Sequence, residues 1–457
     1  MKRRRFIKAG TLGTFLLGDV ISSGSSIMDH SDINSFLNEG ARKTVISGEY
    51  DVIVCGAGPA GIAAAISAAR NNAKTLLIEV NGCLGGVWTA GLLSWILDHS
   101  NKSGLIREIE SRLVKMQGLS SIDTGKNLAF DVEKMKILLE IMCIESGIDV
   151  LLHTRVTGTV KNNKNRLTHI VTESKSFREA WIGKTFIDTT GDGDLAALSG
   201  CGFDLGSEAD GSFQPMSMLA LISGVEFKEI KQFIRWAGDT GSQSKANLLN
   251  EIKRAGINPS YARPSIFPIA TNLYMIMANH QYGSSGLDTR QVTKATLESR
   301  LELHRIIDGL KSLGGSWSDL RIVATAEQIG VREGRRIHGL YKITQSDLVN
   351  GTRHPDAVCS VTFGVDVHPV RLAQEPEGNY NKGVKSKEYD IPLRALIPKD
   401  VDGLMMAGRC ISGDFISHSS YRVTGNAVTM GEAAGKVSSL AAKTNRLPGE
   451  IRLSEIV

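Results

Sequence analysis

The most constraining feature of this 457-residue sequence lies between residues 51 and 79. Asp51-Val-Ile-Val-Cys55 is a short, β-branched apolar run, the pattern of a buried strand. Gly56-Ala57-Gly58-Pro59-Ala60-Gly61 follows at once, and the alanine-rich residues 62–71 then read as a helix. Lys74-Thr-Leu-Leu-Ile78 is a second strand, and it ends in Glu79. Strand, G-x-G-x-x-G, helix, strand and acid in 29 residues predict a dinucleotide-binding βαβ unit. Each part has a physical task. Gly56 allows the tight turn, Gly58 lets backbone approach a pyrophosphate, and Gly61 lets helix pack on strand. Pro59 and Ala60 open the helix, whose free N–H groups face the phosphates. Glu79, 23 residues after Gly56, accepts from ribose hydroxyls and disfavours a 2′-phosphate.

A second glycine-rich loop, Asn81-Gly82-Cys83-Leu84-Gly85-Gly86-Val87-Trp88-Thr89-Ala90-Gly91, begins beyond that acid. FAD is longer than NAD and needs another stretch of bare backbone, so this loop points to FAD. Cys83 stands open as either a thiol beside the flavin or an inert one. Trp88 is either a stacking partner or core. Only one complete G-x-G-x-x-G is present, which speaks against a reductase holding FAD and NAD(P)H in separate domains.

Farther along, Asp131 caps a helix to about Ser146, and residues 149–153 form a strand. Residues 155–160 and 167–173 alternate as a hairpin, and the strand 180–187 runs into Asp188-Thr-Thr-Gly-Asp192-Gly-Asp194. From about 204 the pattern changes. Residues 213–222 read as a strand, 226–236 and 290–312 as helices, and 258–268, with three prolines, as loop. Residues 389–396 begin a return to the first domain, 403–408 are a strand and glycine turn, and 423–442 a long helix. The expected fold is α/β: a Rossmann-like FAD-binding domain (48–203 and 386–445) with an inserted α+β substrate domain (204–385).

Charge narrows the partners. Lys2, Arg3, Arg4, Arg5 and Lys8 against Asp19 place all but one unit of the +5 formal charge in the first 26 residues. A nearly neutral body offers no footprint for nucleic acid. Arg3-Arg4-x-Phe6-Ile7-Lys8 followed by a short apolar stretch resembles a twin-arginine export signal, expected within residues 1–35, and implies a periplasmic protein. No run of 18 apolar residues predicts a membrane span. The six cysteines are at least 28 residues apart, so no metal or iron–sulfur spacing exists and buried free thiols are expected.

Several segments together resemble the FAD-dependent oxidoreductase family related to the flavin domain of heterodisulfide reductase, and more distantly the succinate dehydrogenase and thiazole synthase flavin folds. They are 51–79, 82–91, 186–197, Glu327-Gln-Ile-Gly-Val-Arg-Glu-Gly-Arg-Arg-Ile-His-Gly339, Asp366-Val-His-Pro369, Ile391-Pro-Leu-Arg-Ala-Leu396 and Gly408-Arg-Cys-Ile-Ser-Gly-Asp414 through Gly435. The resemblance implies FAD binding and redox chemistry and names no substrate or electron acceptor. It places the helix near Thr424 against the flavin N1–C2 edge, where its dipole meets developing negative charge. Expected cofactor contacts are Gly56, Gly58, Pro59, Ala60, Gly61, Glu79, Gly85, Gly86, Val156, Asp192, Asp414, Gly425 and Asn426.

A flavin accepts hydride at N5, so a base must take a proton from the neighbouring substrate atom. His368 is the first candidate and His418 the second, with Arg422 near the ring or on substrate. Arg332, Arg335 and Arg336 either bind a substrate carboxylate or hydroxyls, or pair with acids such as Glu327 and Glu333. The expected activity is hydride transfer between flavin and a C–OH or C–C bond of a small organic substrate. Alternatives are an electron-transfer flavoprotein without its own substrate and a non-redox dinucleotide-binding protein.

Overall fold

The computed structural model describes residues 39–239, 243–372 and 380–456. The expected export segment lies outside them. Residues 44–457 cluster as one unit.

Strand β1 (Val45–Cys55) enters the turn at Gly56, and helix α1 (Pro59–Arg70) leads to β2 (Thr75–Ile78). Helix α2 (Val132–Glu145) is capped by Asp131, whose carboxylate accepts from the Glu133 and Lys134 amides. Strands β3 (Asp149–Leu151), β4 (Arg155–Lys161), β5 (Leu167–Ser174) and β6 (Phe177–Asp188) follow. The sheet runs β3-β2-β1-β6-β5-β4. The pairs β3/β2, β2/β1 and β1/β6 are parallel, and the β4–β5 hairpin is antiparallel. At the centre of this mixed sheet Val52, Ile53 and Val54 are fully buried, as a strand covered on both faces requires.

A second sheet lies between residues 219 and 325. Its strands are β7 (Leu219–Ser223), β8 (Ser265–Ala270), β9 (Leu273–Met277) and β10 (Arg321–Thr325), all antiparallel in the order β8-β9-β7-β10. Helices α3 (Gln243–Arg254) and α4 (Thr289–Ser312) bury Leu248, Ile252, Leu303 and Ile306 in a core of its own with Ile222, Phe267 and Tyr274. Strand β11 (Leu404–Met406) then returns to the first sheet, parallel to the end of β6. Short α5 (Phe415–Tyr421) and long α6 (Thr424–Thr444) close the body.

Three expectations are corrected. Residues 265–268, the end of the span taken for loop, belong to β8: an edge strand tolerates Pro268, and the register shifts just after it. The strand expected over 213–222 is confined to β7. The helix expected over 226–236 breaks into a turn of α-helix and a 3-10 turn, ending at Phe233. Residues Tyr389–Pro392 pair with Ala357–Val361 in a separate ribbon, and Tyr389 and Ile391 are buried in the core of the first sheet. Gly431 and Gly435 serve packing: a Cβ on either would run into the Ala60 and Ala64 carbonyl oxygens of α1. Bare backbone there lets two alanine-rich helices lie in contact. Among the described residues no helix is long and apolar enough to cross a membrane.

Candidate active site

The parallel strands β1, β2, β6 and β11 all end at one edge, and a cavity of about 570 Å³ opens there. Open α/β sheets bind ligands at this edge. Cys55, Glu79, Thr189 and Gly408, each at or just past the end of one of these strands, line it. Gly56 holds a φ of +97°, a conformation that favours glycine. Its turn places Gly58, Pro59 and Ala60 on the cavity at the start of α1, which has neither a side-chain cap nor an acid in its first turn. The N–H groups there remain available to an anion. Gly86, with φ +53°, faces Gly58 so closely that a Cβ would come to 2.9 Å of the Gly58 Cα. A Cβ on Gly58 itself would meet no protein atom within 4 Å and would project into open space.

Glu79 is buried at one end of the cavity, where Asn81, Thr154 and Val156 also line the wall. Its carboxylate accepts from the Ala57 amide at 2.6 Å and the Asn81 amide at 2.9 Å, which fixes it across the βαβ turn. Val423, Thr424 and Ala427 also line the cavity and present the start of α6, likewise without a side-chain cap or an early acid. Two helix N-termini therefore point their positive ends at one cavity.

Beyond this cradle the cavity continues to the second sheet. His368 is buried there. Its Nε2 lies 3.4 Å from Asp366 Oδ2, and its backbone N–H donates to Gln214 Oε1 at 3.1 Å. Donation of Nε2–H to the carboxylate, a tautomer assigned from this network, leaves the Nδ1 lone pair as the basic site. Burial, and then the Arg332 and Arg422 charges, push the His368 pKa down to about 4, so the ring is neutral at pH 7. Asp366 is held below the ordinary carboxylate range, by His368 first and then Arg422 and Arg332, although burial opposes this. Arg422 Nη2 donates to the Asp366 carbonyl at 3.0 Å and to Gln214 Oε1 at 3.3 Å. Gln214, itself buried, donates onward to Glu333 at 3.1 Å, and Glu333 pairs with the buried Arg336 at 2.5 Å.

The sequence profile of FAD-dependent oxidoreductases matches residues 51–457. The chain belongs to the FAD-dependent oxidoreductase family. It is a flavin oxidoreductase, with FAD as its cofactor and an α/β FAD-binding fold. The tRNA uridine 5-carboxymethylaminomethyl modification enzyme MnmG of Desulfitobacterium hafniense is 29% identical over 151 residues, 30% of this chain. The chain thus spans only 23% of that relative's length. The geranylgeranyl bacteriochlorophyll reductase-like protein of Thermoplasma acidophilum has 13% identity and a TM-score of 0.50 over 87% of this chain and 80% of its own. That likeness concerns the fold. The residues of this FAD-dependent oxidoreductase fit the cofactor. The open space at Gly58 could hold a pyrophosphate on the α1 N-terminus. Glu79, fixed across the βαβ turn, could accept from ribose hydroxyls, and the uncapped α6 start could meet negative charge on the flavin ring.

The cavity brings together Gly56, Gly58, Pro59, Ala60, Glu79, Gly86, Val156, His368 and Arg422. The other predicted residues lie behind it. Gly61 faces the Gly56 carbonyl, where a Cβ would not fit, and so packs helix on strand. Gly85 donates its N–H to the Ala57 carbonyl at 2.8 Å, fixing the second glycine loop to the first. Asp192 pairs with Arg409 at 2.7 Å, and it is Arg409 that reaches the wall. Asp414 caps α5, accepting from the Ser417 amide, and also takes the Gln345 amide, both at 2.7 Å. Gly425 abuts the Leu97 and Asp98 carbonyls, and Asn426 accepts from the Cys359 thiol at 3.5 Å. Asp192, Asp414, Gly425 and Asn426 do not line the cavity.

His418 is corrected as a candidate base. It is fully buried against Glu333 and Tyr421, off the cavity wall, and burial pushes its pKa well below the usual value. Arg335 pairs with Asp194 at 2.8 Å, whereas Arg332 lines the cavity and donates to the Pro215 carbonyl and Ser217. Trp88 is core, edge-on to Phe130. All six thiols are free, and Cys83 sits against Thr89 rather than on the cavity. Sequence reasoning missed Gln214 and Lys245. Both stand in segments of ordinary composition, and only long-range packing brings them to the site.

Proposed function

We propose that this protein transfers hydride between a small organic substrate, at a C–OH or C–C bond, and its flavin. When bound, FAD supplies the hydride acceptor or donor at N5. His368 takes or returns the substrate proton at Nδ1, Asp366 orients the imidazole, and Arg422 stabilises negative charge beside it. We read residues 204–385 as an inserted substrate domain on a glutathione-reductase-like fold, and the chain as exported through the twin-arginine pathway to the periplasm. The observation that carries the reading is the continuity of the cavity from the dinucleotide cradle to a buried, neutral histidine held by a carboxylate. An electron-transfer flavoprotein without its own substrate needs an exposed flavin edge and no such chamber, so this continuity favours an enzyme. The test is anaerobic titration of the purified, FAD-loaded protein with hydroxy acids, sugars and amines. Bleaching of the flavin by one class, abolished by His368→Ala with FAD retained, is the expected result. Unchanged bleaching in His368→Ala would remove His368 as the base.

A further inference from the structure

The chamber beyond the cofactor cradle has two unlike faces. Leu219, Phe267, Met275 and Met277, all from the second sheet, form an apolar wall, with Trp95 against Phe267 at a centroid distance of 4.7 Å. Lys245 and Arg422 reach the same chamber. Lys245, the third residue of α3, is half-buried, and no hydrogen bond or ion pair within 4 Å holds its ammonium among the described residues. Arg422 is held on one side only, since its buried Nε has no hydrogen-bond partner among the described residues.

Desolvated cations with unmet donors cost stability unless an anion completes them. Other cations at this end are already engaged. Arg235 pairs with Asp239, Arg332 holds Pro215 and Ser217, and the exposed Arg263 lies over the Tyr380 ring at 4.9 Å. Asp366 is the carboxylate on this part of the described wall, and its Oδ2 lies 3.4 Å from His368 Nε2 and 3.9 Å from Arg422 Nη2. Lys245 and Arg422 against Asp366 leave net positive charge among these three groups beside an apolar wall.

We propose that this chamber binds an organic monocarboxylate, its carboxylate held by Lys245 and Arg422 and its apolar body laid on Leu219, Phe267, Met275 and Met277. This rests on the hydride-transfer reading above and names the substrate class for it. A carboxylate there also fixes the neighbouring carbon near His368, the group assigned to the proton. Burial and the nearby Arg235 and Arg263 charges push the Lys245 pKa down to about 8, opposed by Asp366 and Asp239, the condition of an ammonium that lacks its counter-ion.

The test is calorimetric titration of the FAD-loaded protein with benzoate and hexanoate against benzamide and hexanamide, which match them in shape without the charge. A charge-assisted pair predicts a preference of at least about tenfold for carboxylate over amide. Lys245→Met should erase most of that preference while leaving amide binding within about twofold. Arg422→Met should do the same; if it loses FAD, Lys245→Met alone decides. Equal binding of acid and amide, no saturable heat with either acid, or a preference untouched by Lys245→Met overturns the proposal. Flavin bleaching by a neutral alcohol with no carboxylate preference would sink this inference and spare the hydride-transfer reading. Carboxylate binding with no reductant ever bleaching the flavin would do the reverse.

Discussion

Two glycines of one fingerprint should respond oppositely to a single methyl group. Gly58 has φ −69° and ψ −175°, an extended conformation that any residue adopts, and a Cβ there meets no protein atom within 4 Å. Gly58→Ala should therefore leave the apoprotein as stable as its parent, or raise stability by about 0.4–1 kcal/mol by restricting the unfolded chain. The methyl would instead occupy the cradle over the α1 N-terminus. Displacing a pyrophosphate from charge-assisted N–H contacts worth about 1.5–3 kcal/mol should weaken FAD binding by at least about tenfold. Gly61→Ala reverses the pattern. Its Cβ would overlap the Gly56 carbonyl oxygen and crowd the Thr189 hydroxyl at 2.7 Å, and backbone does not yield as a flexible side chain does. Overpacking costs about 1–3 kcal/mol and more where backbone must move, so this variant should unfold at lower denaturant with or without FAD. Urea unfolding of both apoproteins and fluorescence titration with FAD separate the two effects. A Gly58→Ala protein that binds FAD like its parent, or a Gly61→Ala protein as stable as its parent, would refute the cradle geometry.

Three other perturbations test the site and its address. Gln214→Leu removes three hydrogen bonds, but Arg422 keeps the Asp366 carbonyl and Glu333 keeps Arg336, so the His368 N–H is the group left without its acceptor. That costs about 1–3 kcal/mol in urea unfolding, and it should shift the pH profile of flavin bleaching because the His368 loop loses its anchor; a stability loss with an unmoved profile would make Gln214 purely structural. His368 binds fewer protons folded than unfolded below the ordinary histidine pKa, so stability should be intact above pH 6.5 and fall towards pH 4 by about 1.4 kcal/mol per pH unit, with His418 adding a loss of the same sign; His418→Leu should flatten that slope, and an unchanged slope would contradict its neutral burial. Replacing Arg3 and Arg4 together by lysine should retain the precursor in the cytoplasm when fractions are probed by antibody; unaltered periplasmic recovery would dismiss the twin-arginine route.

Local chemistry made the first sheet legible. The β1–α1–β2 unit declares itself because turn, helix start and acid are consecutive, and α2 because Asp131 stands where its cap is needed. The helix expected over 290–312 forms over Thr289–Ser312, with Ala295, Ser299, Leu303, Ile306 and Leu310 buried. What failed shares a cause. Pro268 reads as a loop-former until one knows that β8 lies on a sheet edge, and edge position is a property of the assembled sheet. Asp414 and Asn426 stand in a segment that does reach the cofactor region, yet their side chains turn to a helix cap and to Cys359. Sequence spacing locates a backbone near a ligand; it leaves side-chain direction to packing.

His368 and His418 show why the same limit applies to catalysis. Both are histidines in segments of the same resemblance, and both are driven neutral by burial. What divides them is surroundings supplied from far along the chain. Gln214 anchors the His368 backbone across 154 residues, and Tyr261, His280 and Tyr380 pack around its ring. His418 faces a carboxylate already neutralised by Arg336 and sits in a wall with no opening to the cavity. A neutral imidazole becomes a base only where substrate can approach it, and of the two it is His368 that lies on the cavity wall, against residues of the second sheet's region. The catalytic assignment is therefore a statement about how two separately built cores meet at one chamber, which no motif on either side contains.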